Sequence, residues 1–170
     1  MNRIDMADRD FTLTKDILHE LFEYREGVLY SKKQRGKLVI GQKVGSAKRN
    51  GYEMVGINHK TYLTHRIIFM IHHGFLPKYI DHIDGNSLNN KIENLREATL
   101  SQNQYNSKIP KNNTSGVKGV NWDKDHSKWR ARVIVNKKTM FVGLFKEIEE
   151  AAKAIKAFRE KQHKDFARFE

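Results

Sequence analysis

"YIDHIDGNSLNNKIENLREATLSQNQYN", from Tyr79 to Asn106, sets Asp81 and His82 side by side among six asparagines. A turn needs one or two asparagines, so the surplus asks for another use. The pattern around the pair is strand, loop, strand, helix. Tyr79 and Ile80 open a short strand and "DGNSLNN" is a long turn. "IENLREA", apolar at Ile92 and Leu95, supplies the second strand, and Thr99 caps a helix start in "TLSQNQYN". Asn86, Asn89 and Asn90 read as turn residues and stay outside the candidate site. The unit as a whole reads as ββα.

Hydrolysis of a phosphodiester needs a base for the water and a cation to offset charge on the phosphate and leaving oxygen. A neutral histidine is such a base near pH 7. One carboxylate and one carboxamide oxygen suit a hard divalent ion. A second carboxamide would hold the imidazole in its working tautomer. Residues of the right type stand at His82, Asp81, Asn103 and Asn94.

With its Asp-His start, its "NNKIENLR" segment and its closing asparagine, the stretch resembles the His-Asn-His (HNH) endonucleases. The subgroup is that of phage and intron-encoded homing enzymes, and a weaker likeness reaches upstream through "THRIIFMIHHGFLP". The resemblance implies His82 as general base, Asn94 as the middle asparagine, and Asp81 with Asn103 as metal ligands. Many members have histidine where this chain has Asn103. Hard oxygen donors alone favour Mg²⁺, with Mn²⁺ as substitute, over zinc. "DHIDGN" is similar to a calcium loop, but its glycine falls one place early and no glutamate closes it.

Upstream, "LTKDILHELFEY" spaces Leu13, Ile17, Leu18, Leu21 and Phe22 for one helical face behind a Thr14 cap. Short apolar runs between glycines follow, with a tight turn at Asn58-His59-Lys60. "THRIIFMIHHG" reads as a helix capped by Thr64 and stopped by Gly74. His65, His72 and His73 on it lack a carboxylate to complete a metal set, so packing is their expected use. Arg66 either reaches a phosphate or locks the core.

Downstream, "SKIPKNNTSG" is polar and aperiodic and serves as a linker. Three strand-like runs and a helix come next. Alternation gives Trp129, Ala131, Val133, Val135, Met140 and Val142 to the core. It turns Arg130, Arg132, Phe141 and Gly143 outward. "GVKGV", "KWRARV", "FVGLF" and "EEAAKAI" resemble the plant Apetala/ethylene-response DNA-binding domain. That likeness implies a DNA face of Lys118, Asn121, Trp122, Lys128, Arg130, Arg132 and Phe141.

The net charge is +12. Segment 31–60 has eight Lys/Arg against one acid, and 108–141 has nine against two, while 61–107 balances at four each. Basic flanks draw polyanions by releasing their counterions. There are no cysteines, which excludes disulfides, thiolate zinc sites and cysteine nucleophiles. No apolar run nears the ~20 residues of a membrane span, and the start has no secretory order.

The reading is an α+β chain. Residues 1–60 form an N-terminal helix and basic hairpin region and 61–107 the ββα-metal nuclease module. A linker at 108–114 precedes 115–170, a three-stranded antiparallel sheet packed on one helix. The expected function is metal-dependent, site-recognising cleavage of double-stranded DNA by a monomer, nicking or cutting both strands, inside a cell (a bacterial host if phage-encoded). Rival readings are a DNA-binding regulator with a vestigial nuclease unit and an RNA-directed protein.

Overall fold

The computed structural model describes residues 13–47, 51–110, 112–163 and 166–167. Residues 1–12 of the N-terminal region, Lys48 and Arg49 of its basic stretch, and Lys111 of the linker lie outside the described residues. The chain is a mixed α/β structure that divides into two compact units, Met1–Glu97 and Ala98–Glu170.

In the first unit, α1 (Lys15–Leu21) starts where Thr14 accepts a hydrogen bond from the Ile17 amide. That satisfies one of the donors a helix N-terminus leaves open. Leu18 and Leu21, on its inner face, have no exposed surface. Burying a leucine this fully contributes roughly 1.5–3 kcal/mol. Strands β1 (Phe22–Arg25), β2 (Val28–Ser31) and β3 (Lys43–Val44) make one antiparallel sheet. A second contains β4 (Ser46–Ala47), β5 (Glu53–Ile57) and β6 (Lys60–Leu63). The β5–β6 turn is Asn58-His59, both at positive φ (48° and 60°), the geometry that suits a two-residue hairpin.

Helix α2 (Thr64–His73) runs through the middle of this unit's core, burying Ile67, Ile68, Phe69 and Ile71. It ends as expected at Gly74, which closes the helix in the left-handed conformation. Its start differs from expectation. Leu63 holds the cap position with no side-chain bond, and Thr64 lies within the first turn, fully buried. Lys15 Nζ donates to the His72 carbonyl at 3.1 Å, so α1 ties down the far end of α2. Strand β7 (Tyr79–His82) pairs with β8 (Leu95–Ala98).

The second unit opens with α3 (Leu100–Tyr105), which has a full capping box between Thr99 and Gln102. Strands β9 (Val120–Asp123), β10 (Lys128–Val135) and β11 (Lys138–Phe145) form an antiparallel sheet with β10 central. Helix α4 (Ile148–His163) lays Ala151 and Ile155 against Val120, Ala131 and Val133. Gly119 permits the close approach, because a Cβ there would stand 2.7 Å from Ile155 Cδ1 and collide with the Arg132 carbonyl of β10. The division falls ahead of the expected linker for a physical reason. The Tyr105 hydroxyl accepts from the Asn136 amide at 2.7 Å and its ring stacks on His163 at 3.7 Å, which binds α3 to this sheet. Asn113 and Ser115 fold back onto the Val117 and Val120 carbonyls.

Strict alternation fails in β11. Ala131 pairs with Gly143 but Arg132 with Phe141, so Val142 is the extra residue of a bulge. Gly143 therefore lies opposite buried Ala131 instead of facing outward, and Phe145 joins the core. Met140, expected in the core, is 43% exposed.

Candidate active site

The ends of β7 are fixed from both directions. Arg66 of α2 donates to the Pro77 and Lys78 carbonyls just before the strand, an anchoring use of its guanidinium. After the strand, the Ile83 amide donates to the Asn94 carbonyl. Between these anchors, Asp81 and His82 are 3% and 6% exposed. Adjacent strand residues enter different surroundings. Asp81 Oδ2 accepts from Arg96 of β8 through Nε and Nη2, both at 2.8 Å. His82 lies against the rings of His65 (5.0 Å, edge-on) and Tyr52 (6.1 Å).

The carboxamide that meets His82 belongs to Asn90. Its Oδ1 is 3.1 Å from His82 Nε2, and Asn90 itself is 2% exposed. The expected holder of the imidazole, Asn94, does other work. Its Oδ1 accepts from the Asp84 amide, and its Nδ2 donates to Asp84 Oδ1 and the Asn89 carbonyl. Asn94 staples the loop closed, with both of its Nδ2 hydrogens committed inside the loop. The other two asparagines of the loop, Asn86 and Asn89, explain themselves as turn formers. Asp84 takes the Asn86 amide and the Asn89 side chain, and Asn86 takes the Leu88 amide. Burial would raise the Asp84 carboxyl, but hydrogen bonds from Asn89, Asn86 and Asn94 outweigh it and hold it below its ordinary value.

The loop is also braced by the first hairpin. Tyr24 Oη accepts from the Ile92 amide at 3.0 Å, and Glu26 pairs with Lys91 at 2.9 Å. Gly27 makes the contact possible. At φ +85°, a Cβ on it would come within 2.8 Å of the Lys91 nitrogen and 3.0 Å of the Asn90 carbonyl carbon. His65 is pushed down to about 3, first by burial, then by the neighbouring His82 and Arg66. It is therefore a neutral packing partner of His82 at any ordinary pH.

The second unit holds the other expected residues. Asn103 stands half-buried on α3, its amide bonded to the Thr99 carbonyl. The outer face of the sheet shows Asn121 opposite Arg130 and Arg132 opposite Phe141, the phenylalanine 62% exposed. Lys128, half-buried, lies opposite Asp123 on that face. Arg130 is ion-paired to Asp123, whose other oxygen meets His126 at 3.2 Å. Two residues depart from the expected DNA face. Register pairs Trp122 with Trp129, whose ring packs against the core, so Trp122 shares the helix side of the sheet. Lys118 turns its ammonium to the C-terminal end of α3, donating to the Tyr105 and Ser107 carbonyls.

Residues 62–105 match the HNH endonuclease family model. Protein 3.8 of Escherichia phage T7 is 43% identical over 98 residues, 56% of this chain and 80% of that protein. The chain belongs to the family of that phage protein and carries an HNH endonuclease domain. The SPbeta prophage protein YosQ of Bacillus subtilis, whose name designates an HNH homing endonuclease, is 39% identical over 61 residues. That match spans 32% of this chain and 35% of YosQ. The uncharacterized HNH endonuclease L560 of Acanthamoeba polyphaga mimivirus is 35% identical over 106 residues, 61% of this chain and 54% of the relative. No solved structure matches the chain.

HNH nucleases in general depend on a divalent metal. No cluster of three or more His, Asp or Glu side chains fit for a metal occurs among the described residues. Asp81 in the first unit is a buried carboxylate and Asn103 in the second a half-buried carboxamide, each a hard oxygen donor. That donor chemistry suits an ion that keeps most of its shell for water and phosphate. No helix among the described residues is long and apolar enough to cross a membrane.

Sequence reasoning missed Asn90, Arg96, Tyr52 and Glu53, whose Oε2 accepts from Asn90 Nδ2 at 3.4 Å. By sequence Asn90 reads as one of several turn residues, and only its burial separates it from Asn86 and Asn89. Arg96 had a signal in its place on β8, the strand that returns beside the one carrying Asp81.

Proposed function

We propose that this protein is a metal-dependent, site-recognising DNA endonuclease of the homing type. The observation that carries the reading is His82, buried on a strand and held at Nε2 by an amide. Its other ring nitrogen is then the base. His82 takes a proton from water, whose oxygen attacks the phosphorus, and the bond to the 3′ oxygen breaks. The products are a 5′-phosphate and a 3′-hydroxyl. Asp81 and Asn103 would hold Mg²⁺, with Mn²⁺ as substitute, and that ion would supply charge stabilisation at the phosphate and the leaving oxygen. Arg96 keeps the Asp81 carboxylate oriented in its buried setting.

Residues 115–170 we assign to DNA binding, in an arrangement resembling the Apetala/ethylene-response module. A twisted three-stranded sheet with protruding arginines suits the major groove. Asn121, Lys128, Arg132 and Phe141 are its contact residues, with Arg130 positioned by Asp123. Double-stranded DNA is the substrate and the protein acts on it as a monomer. The test is supercoiled plasmid with Mg²⁺ and purified protein. Wild type relaxes or linearises it, whereas His82→Ala does not cut yet retards the same DNA in a gel. Retardation by wild type with no cutting in Mg²⁺ or Mn²⁺ identifies a DNA-binding regulator instead.

A further inference from the structure

Glu53 on β5 sets a carboxylate beside the amide that touches His82. Its side chain is 12% exposed. Oε1 faces Lys43 Nζ at 3.4 Å, and Oε2 accepts from Asn90 Nδ2 at 3.4 Å. A glutamate carboxylate at neutral pH can only accept hydrogen bonds. A carboxamide has one donating end and one accepting end of nearly equal shape, so its neighbours decide which way it points. With Glu53 in place, Asn90 must turn its NH₂ toward the carboxylate and its oxygen toward the imidazole. That oxygen accepts only. The ring nitrogen that meets it, Nε2, must then carry the hydrogen, and the lone pair resides on Nδ1.

We infer that Glu53, acting through Asn90, fixes the Nε2–H tautomer of His82 and so directs the base to work through Nδ1. Glu53 is a positioning residue, contributed by a different sheet from the one that carries the histidine. The opposite amide orientation would set the Asn90 carbonyl against the carboxylate, acceptor to acceptor, and would leave the NH₂ to select the other tautomer. Lys43 holds the first member of the relay from the solvent side. The catalytic consequence rests on His82 being the general base proposed above; the tautomer itself does not.

The experiment reads the tautomer without cleavage. The full chain, labelled with ¹⁵N-histidine, is recorded by long-range ¹H–¹⁵N correlation at about pH 8.5, well above the ordinary histidine range. A His82→Gln sample assigns the signal. Wild type shows Nε2–H. Glu53→Gln, whose new amide can donate as well as accept, shows a mixture, and kcat falls roughly 10–100-fold, the usual loss for such outer partners, with KM unchanged. The double variant Glu53→Gln/Asn90→Asp exchanges donor and acceptor, so a carboxylate oxygen again meets Nε2–H. It restores the single tautomer and most of kcat. An Nδ1–H signal in wild type overturns the inference. So does a Glu53→Gln protein with wild-type spectrum and kcat, or a double variant that recovers neither. A wild-type protein that shows Nε2–H but never cuts DNA defeats the nuclease reading and leaves the tautomer relay standing.

Discussion

His65 shows how one buried ring constrains the whole pH range of the fold. The folded protein holds it down to about 3 against an ordinary 6.5, burial being the main cause. Below pH 6.5 the unfolded chain therefore takes a proton that the folded chain refuses. Stability is full above pH 6.5 and falls as pH drops toward 3, by about 2 kcal/mol between pH 7 and pH 5. Urea unfolding of His65→Phe at those two pH values should lack this share of the decline. At the same scale, the placing of Asp81 and His82 side by side on a strand was legible from their order behind Tyr79 and Ile80. The choice between Asn90 and Asn94 was not. Both are carboxamides of one loop, and which of them faces the imidazole depends on Glu53, Tyr24 and Gly27, residues far away in the chain.

Among the elements, the β1–β2 hairpin matters most to the site, although its sequence carries no sign of chemistry. Its turn glycine packs directly on the Asn90-Lys91 backbone. Gly27→Ala should lose about 1–2 kcal/mol from left-handed strain alone, and more from the backbone clash. Gly36 is the control. It also has positive φ (+57°), but a Cβ there meets nothing within 4 Å. Denaturation midpoints should fall for both variants, while plasmid cleavage should fall beyond the loss of folded protein for Gly27→Ala only. Local signals predicted elements well where the backbone itself demands a residue, as at Asn58-His59, Gly74 and the Thr99 box. They failed in β11, since a bulge is set by cross-strand register and leaves the apolar pattern of "TMFVGLF" unchanged. They failed again at Thr64, a good cap by type, which the core absorbs.

At the scale of the molecule, the net charge of +12 predicts binding that weakens with salt. Arg132 is exposed on the outer face of the sheet, whereas Arg130 is committed to Asp123. Arg132→Ala should lower the slope of log K against log salt by about 1, the value of one phosphate contact, and Arg130→Ala by less. Fluorescence anisotropy across a salt series measures both. The basic flanks were visible in the sequence, but the division of the chain at Glu97 was not, because the stacking of Tyr105 on His163 joins residues far apart in number. The same ion pairs have a further effect. On the DNA-binding reading proposed above, two aspartates would stand where a polyanion approaches, and each is already paired, Asp81 with the Arg96 guanidinium and Asp123 with that of Arg130. A duplex arriving at either unit would then meet carboxylates whose repulsion is muted from within.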